Sequence, residues 1–353
     1  MKIVYTSDIT KKPKNLTDMK TKINKDLLYK LYEIHSPSGG ERKMKRFIKS
    51  YIRTNIENCA ISCDNAGNMY ITRGEAENYP CVVAHLDQVQ HIHSNDFTVM
   101  ECGDIVFGYS PSRKQTEGLG ADDKNGIFIA LECLKMFDKI KVAFFVKEET
   151  GCVGSNAANM DFFQNCKYVI EPDRRGNNDL ITEASFTELC SEDFVKDIMG
   201  FSDYNVTTGL CTDVMALKEN GLKVSAINLS CGYYNPHTDY ESTNLKDLQK
   251  CLTFVQLIIA NVSDIYTHEH IEYDFGSYGY SKDISNYFED YEYAREFIED
   301  LSKYMDVREL TPEQIEDVMS KEYFKLDKYA VQNAYEDFLA FNNSDNSDKL
   351  TEI

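Results

Sequence analysis

No stretch of this sequence reaches the roughly 18 consecutive apolar residues that a membrane-spanning helix needs. The longest candidate, Cys251–Val262, falls short and carries a helix-like pattern, so no membrane partner is expected. The opening Met1–Lys14 stretch lacks a continuous apolar segment, and a secretory leader is not expected either. Among eleven scattered cysteines there is no CxxC pair. An odd number without paired spacing argues against a disulfide framework and fits reduced thiols in the cytoplasm. Cys59 and Cys63 look like half of a zinc site, but no second pair follows at a matching spacing, so both are read as structural or incidental. Basic residues are also scarce: 38 Lys and Arg against 58 Asp and Glu leave a net charge of −20. A field of that sign repels phosphates and argues against a nucleic-acid partner, while it suits divalent cations.

What is present reads as alternating strand and helix. Apolar residues at Leu27, Leu28, Leu31 and Ile34 follow a 3.6-residue period. They predict a helix within Lys25–Ile56, broken by the turn Ser36-Pro37-Ser38-Gly39-Gly40 and resumed near Glu41. Strands are expected at Asn68–Arg73, Cys81–Leu86, Lys141–Lys147, Tyr168–Glu171 and Lys223–Leu229. Helices are expected at Asn125–Phe137, Ser155–Gln164 and Leu245–Ile265. That alternation implies an α/β fold, a mixed and mostly parallel sheet sandwiched between helices. The expected division is an amino-terminal arm at 1–24, a catalytic domain at 25–265, and an acidic helical extension at 266–353. The extension carries most of the net charge, with helical stretches at Ile284–Met305 and Pro312–Phe341, and reads as a solvated element.

Five short stretches put acids or imidazoles at strand ends, where open α/β sheets place their ligands. In Val82–Asp87 a strand delivers His85, with Asp87 two residues on and able to point the same way. That spacing suits a metal-binding imidazole whose other nitrogen is held by a carboxylate. Gly118–Gly126 sets Asp122 and Asp123 at a glycine-flanked helix start. One acid suffices for an N-cap; two beside a tight Gly-Ala approach point to a carboxylate bridging two cations. The apolar strand Val142–Val146 is followed after Lys147 by Glu148-Glu149 and a glycine-rich turn. Adjacent like charges there cost free energy unless cations or protons offset them. One Glu as ligand and its neighbour as general base accounts for both. Tyr168–Gly176 carries Glu171 and Asp173, and Asn235–Glu241 carries His237.

With these residues in hand, the chain resembles the clan of co-catalytic two-zinc exopeptidases, and most closely the catalytic domain of peptidase T-like aminopeptidases. The resemblance rests on Gly-Ala-Asp-Asp-Lys-x-Gly at Gly120–Gly126 and Glu-Glu-x-Gly-x-x-Gly at Glu148–Gly154. Ser36–Glu41, Asp64–Asn68, Cys211-Thr212-Asp213 and Asn228–Glu241 also match the clan. It spans about residues 25–265. By this resemblance Asp122 would bridge the metals, with Asp123 beside it in an unusual peptide geometry. His85 and Asp173 would complete one site, and Glu149 and His237 the other. Glu148 would be the general base, and Asp87 would orient His85. The implied cofactors are two Zn²⁺, with Mn²⁺ or Co²⁺ also compatible with carboxylate and imidazole ligands. Peptidase T-like enzymes insert a lid or dimerisation domain between the fourth ligand and the last histidine. The short interval from Asp173 to His237 leaves no room for it, so a bare catalytic domain is expected.

Glu171 stands as a second candidate for the fourth ligand. His35, His91, His93, His268, His270, Arg174 and Arg175 are not assigned to the site. The leading reading is an aminopeptidase on short peptides. A deacylase or carboxypeptidase of the same clan, acting on N-acyl amino acids or peptide ends, and a non-catalytic binding protein are the alternatives. Oligomeric state is not legible.

Overall fold

The computed structural model describes residues 23–185 and 187–270, with scattered helical positions between 294 and 338. The amino-terminal arm expected at 1–24 lies almost wholly outside the described residues, as do most of the helices expected at Ile284–Met305 and Pro312–Phe341. The chain forms two compact units, 1–270 and 271–353.

The first unit opens with α1 (Lys25–Tyr32), α2 (Arg42–Asn55), β1 (Cys59–Cys63), β2 (Met69–Arg73) and β3 (Tyr79–His85). Three strands, β4 (Thr98–Cys102), β5 (Ile105–Ser110) and β6 (Gln115–Glu117), precede α3 (Ala121–Met136) and β7 (Ile140–Phe145). There follow α4 (Val153–Asn156), β8 (Cys166–Arg174), β9 (Asp179–Ala184), β10 (Thr187–Glu188), α5 (Glu192–Met199) and β11 (Asn205–Gly209). The unit closes with α6 (Asp213–Glu219), β12 (Ala226–Ser230), β13 (Tyr233–Tyr234), β14 (Ser242–Asn244) and α7 (Leu245–Asn261).

The main sheet has the order β1-β2-β7-β3-β8-β12-β9-β10, with β11 beside β9. Its centre, β7-β3-β8-β12, is parallel, and the flanks add antiparallel pairs, so the sheet is mixed with most strands running one way. A strand covered on both faces reads as a continuous apolar run. Accordingly β3 is buried at every position. Val82, Ala84, Val142 and Phe144 face one core with α1, α2, α3 and α7. Cys81, Val83, Ala143 and Phe145 face a second core that includes Val214 and Leu217 of α6. Phe144 is wholly buried and sits in register with Met69 and Ala84. Truncating it to alanine should cost about 3–5 kcal/mol. Chemical denaturation of Phe144→Ala measures this, and a loss below about 1 kcal/mol would mean the site is not the packed centre described.

A separate five-stranded sheet joins β13, β14, β5 and β4, with β6 on β5. It was not anticipated: most of β4 is exposed or half-exposed and carries no apolar alternation to read. The interval between Asp173 and His237 contributes β9–β12 to the main sheet and β13 to the second.

Three expected elements need correction. The helix at Ser155–Gln164 is instead α4 followed by a 3₁₀ turn at Met160–Phe163, which Asn159 starts by accepting the Asp161 N–H at 3.2 Å. The strand at Lys223–Leu229 begins only at Ala226. The helix Leu245–Ile265 ends at Asn261, where β-branched Val262 turns extended. In the second unit, the described residues Ala294, Ile298, Val307, Ile315, Val331, Ala334 and Tyr335 form a small apolar core.

Candidate metal centre

Every candidate site residue projects from the carboxyl edge of the parallel centre or the loops beside it. His85 is the last residue of β3, Glu148 and Glu149 follow β7, Asp173 lies near the end of β8, and His237 lies between β13 and β14. Asp122 and Asp123 begin α3, where their backbone departs from helical values and their shared peptide bond is cis. Gly120 holds a left-handed conformation just before them (φ +64°), open to glycine at little cost. Gly126 is required for a different reason: a Cβ there would collide with the Asp123 carboxylate.

The two oxygens of Asp122 face two different imidazoles. Oδ1 is 2.9 Å from His85 Nε2, and Oδ2 is 3.3 Å from His237 Nε2. His237 Nε2 also lies 3.1 Å from Glu149 Oε2, and His85 Nε2 lies 3.6 Å from Asp173 Oδ2. Glu148 Oε2 stands 3.9 Å from His85 Nε2. Ligand atoms of His85, Asp122 and Glu149 lie within 4.8 Å of one another, as do those of His85, Asp123 and Asp173. The Asp123 carboxylate is already engaged by backbone donors, accepting from Gly126 N at 2.9 Å and His85 N at 3.3 Å. It braces the end of β3 rather than reaching toward His237.

His85 Nδ1 meets the backbone carbonyl of Asp87 at 3.0 Å, whereas the Asp87 carboxylate is at 3.6 Å. Donation from Nδ1 to that carbonyl leaves Nε2 with a free lone pair, the tautomer a metal ligand needs. The Asp87 carboxylate instead accepts from Ser38 Oγ (2.7 Å), Glu148 N (3.0 Å) and Glu149 N (3.3 Å). It therefore fixes the turn that carries both glutamates. Sequence spacing could place Asp87 beside His85 but gave no hint of this second task.

Glu171, the other candidate for the fourth ligand, has one oxygen engaged elsewhere and its Oε1 buried without a partner. Its Oε2 accepts from Thr212 Oγ1 and from Val214 N (3.2 Å), beneath the start of α6. Asn228 clamps Asp173 by accepting its N–H and donating to its carbonyl, both at 3.0 Å. His35 is stacked on His93 at 5.1 Å and contacts the Gln90 carbonyl, His268 lies 3.9 Å from Glu188, and Arg174 lies 3.5 Å from Asp179. Cys59 and Cys63 sit at opposite ends of β1 and do not share a site.

The electrostatics show what the cluster requires. Burial pushes the Glu148 carboxyl well above the usual range, and Glu149 beside it pushes the same way. Burial likewise raises Glu149 and Asp173, with Asp122 adding repulsion to each. Burial would depress His237, but hydrogen bonds to Asp122 and Glu149 outweigh it and lift the imidazole to about 11. Burial would raise Asp122, but hydrogen bonds with His237 and His85 hold its carboxyl well below the usual range. Among the described residues two imidazoles face this group of carboxylates, and Glu149 Oε1 is buried without any partner. Cations would satisfy what protons and hydrogen bonds leave over. The donors are imidazole and carboxylate without thiolate, a set that fits Zn²⁺, Mn²⁺ or Co²⁺.

No protein-family model matches the chain, and no curated protein matches it in sequence. Solved structures do match. An aminopeptidase PepT from Bacillus cereus aligns with a TM-score of 0.56 at 14% identity, over 67% of this chain and 96% of that one. A tripeptidase from Staphylococcus aureus aligns with a TM-score of 0.54 at 14% identity, over 67% and 96%. An aminopeptidase from the archaeon Desulfurococcus kamchatkensis gives 0.51 at 15% identity, over 67% and 94%. At such identities the likeness is one of fold: the chain shares the fold of these peptidases.

Proposed function

We propose that the chain is a two-metal hydrolase of amide bonds, an aminopeptidase acting on short peptides. The observation that carries this reading is Asp122, which offers one oxygen beside His85 and the other beside His237, with Glu148 3.9 Å from His85. His85 and Asp173 would hold one Zn²⁺, Glu149 and His237 the other, and Asp122 would serve both. Bound there, two such cations supply Lewis-acid polarisation of a carbonyl and acidify water.

The protein's own residues do the remaining work. Glu148 is the general base: its Oε2 takes the proton of the attacking water and returns it to the leaving nitrogen. Its Oε1 accepts from the Cys152 thiol at 3.4 Å, so Oε2 is the oxygen left for proton transfer. The Asp87 carboxylate holds the Glu148 and Glu149 backbone in place, and the Asp87 carbonyl holds the His85 ring. The aminopeptidases matched in fold support peptides with a free amino group as substrates. None of the eleven cysteines forms a disulfide, which supports a cytoplasmic setting, and no described helix is long and apolar enough to cross a membrane.

A panel of di- and tripeptides, each free or blocked at the amino end, tests the substrate class. Cleavage of the free-amino peptides is expected, with the blocked forms at least tenfold slower. Turnover confined to N-acyl amino acids would replace this reading with a deacylase.

A further inference from the structure

Glu241 is buried at 0% exposure, four residues beyond His237, and it carries a carboxylate that the proposed chemistry does not use. Both of its oxygens accept from the loop that presents Asp122. Oε2 takes the Gly120 N–H at 2.5 Å, and Oε1 takes the Asp122 N–H at 3.0 Å. Oε2 also accepts from Gln90 Nε2 at 3.0 Å. Gln90 in turn accepts from Gln88 Nε2 at 3.0 Å, and Gln88 Oε1 accepts the Ser36 N–H at 3.3 Å. The segment 88–90 continues the one that carries His85 and Asp87. One buried chain of hydrogen bonds therefore joins three segments that bear candidate ligands: the one leaving β3, the start of α3, and the loop between β13 and β14. Close packing around it leaves no room for side chains at Gly118 and Gly120, where a Cβ would run into Gln90 and Gln88.

We propose that Glu241 is a positioning residue of the metal centre: its carboxylate locks the Gly120–Asp122 loop to the His237 loop and so sets how tightly the cations are held. The inference rests on the two-metal reading above. A carboxylate suits this place because all of its partners are donors. A glutamine amide has one acceptor oxygen and one donating nitrogen. Whichever way it turns, its NH₂ faces the N–H of Gly120 or of Asp122, and one of the two is pushed off. The displaced backbone carries Asp122 with it, and partners of this outer kind typically shift metal affinity about 10- to 100-fold.

The test uses the full chain and Zn²⁺ in competition with a metal-binding dye, comparing wild type with Glu241→Gln. The variant is expected to hold Zn²⁺ about 10- to 100-fold more weakly. Its KM on a cleaved peptide should stay near the wild-type value, with kcat recovering as Zn²⁺ is raised. A role in fold stability alone would lower the unfolding temperature of the metal-free protein and leave Zn²⁺ affinity unchanged, and that result overturns the proposal. If Glu241→Gln does not fold, Gln90→Leu decides the matter. It removes the third donor to Glu241 together with the acceptor of Gln88 Nε2, keeps both backbone donors to Glu241, and should weaken Zn²⁺ a few-fold, whereas wild-type affinity again overturns the proposal. A wild-type protein that binds no Zn²⁺ removes the two-metal reading as well. Equal binding by wild type and Glu241→Gln removes this inference alone.

Discussion

Glu148→Gln is expected to lower kcat for peptide cleavage by about 10²–10⁴-fold while bound metal stays at the wild-type level. The side chain keeps its shape, and its backbone N–H still reaches the Asp87 carboxylate, so the turn that presents Glu149 should not move. What disappears is the oxygen that accepts and returns a proton. KM should change little, because the loss falls on the chemical step rather than on binding. Steady-state kinetics with metal analysis on the same preparation measures this. A variant within about tenfold of wild type would remove Glu148 as the base.

Asp122→Ala should have the second large effect, this time on the metals themselves. Its two oxygens face the two imidazoles, so one substitution strips a donor from both cation positions. Cation content should fall from two per chain to less than one, and cleavage should vanish. His237→Ala should behave differently, losing the cation shared with Glu149 and keeping the one beside His85. Stability gives an independent readout. A cation present at 100 times its Kd stabilises the fold by about 2.7 kcal/mol, so a chelator should lower the wild-type unfolding temperature by several degrees. Asp122→Ala should show little such shift. Full loading of Asp122→Ala would contradict the shared position.

Much of the candidate site was legible because it breaks a pattern. The runs ending in His85 and Glu148-Glu149 are apolar, buried on both faces, and then abruptly polar, which sequence reading detects. Asp122 and Asp123 stand out for the same reason against Leu119, Ala121 and the apolar helix that follows. The supporting shell was not legible, because it depends on contacts between distant segments. Gln90 and Glu241 are 151 positions apart, and nothing local marks either as a partner of the Asp122 loop. Asp87 lies beside His85 as its spacing suggests, yet its carboxylate serves the turn 61 residues downstream. In the fold, the parallel centre announced itself through unbroken apolar strands. The second sheet did not, since β4, β5 and β6 are short and partly exposed. The break between α4 and the following 3₁₀ turn was hidden for a related reason. Ser155–Gln164 has enough apolar residues for a helix, and the turn set by Asn159 overrides them.

The most direct measurement is the Zn²⁺ stoichiometry of the purified chain, taken together with cleavage of a free-amino tripeptide before and after chelation. Two equivalents per chain are predicted, with cleavage lost on chelation and restored by added Zn²⁺. A chain that binds no stoichiometric metal, or that cleaves the peptide equally well without it, would contradict the two-metal centre.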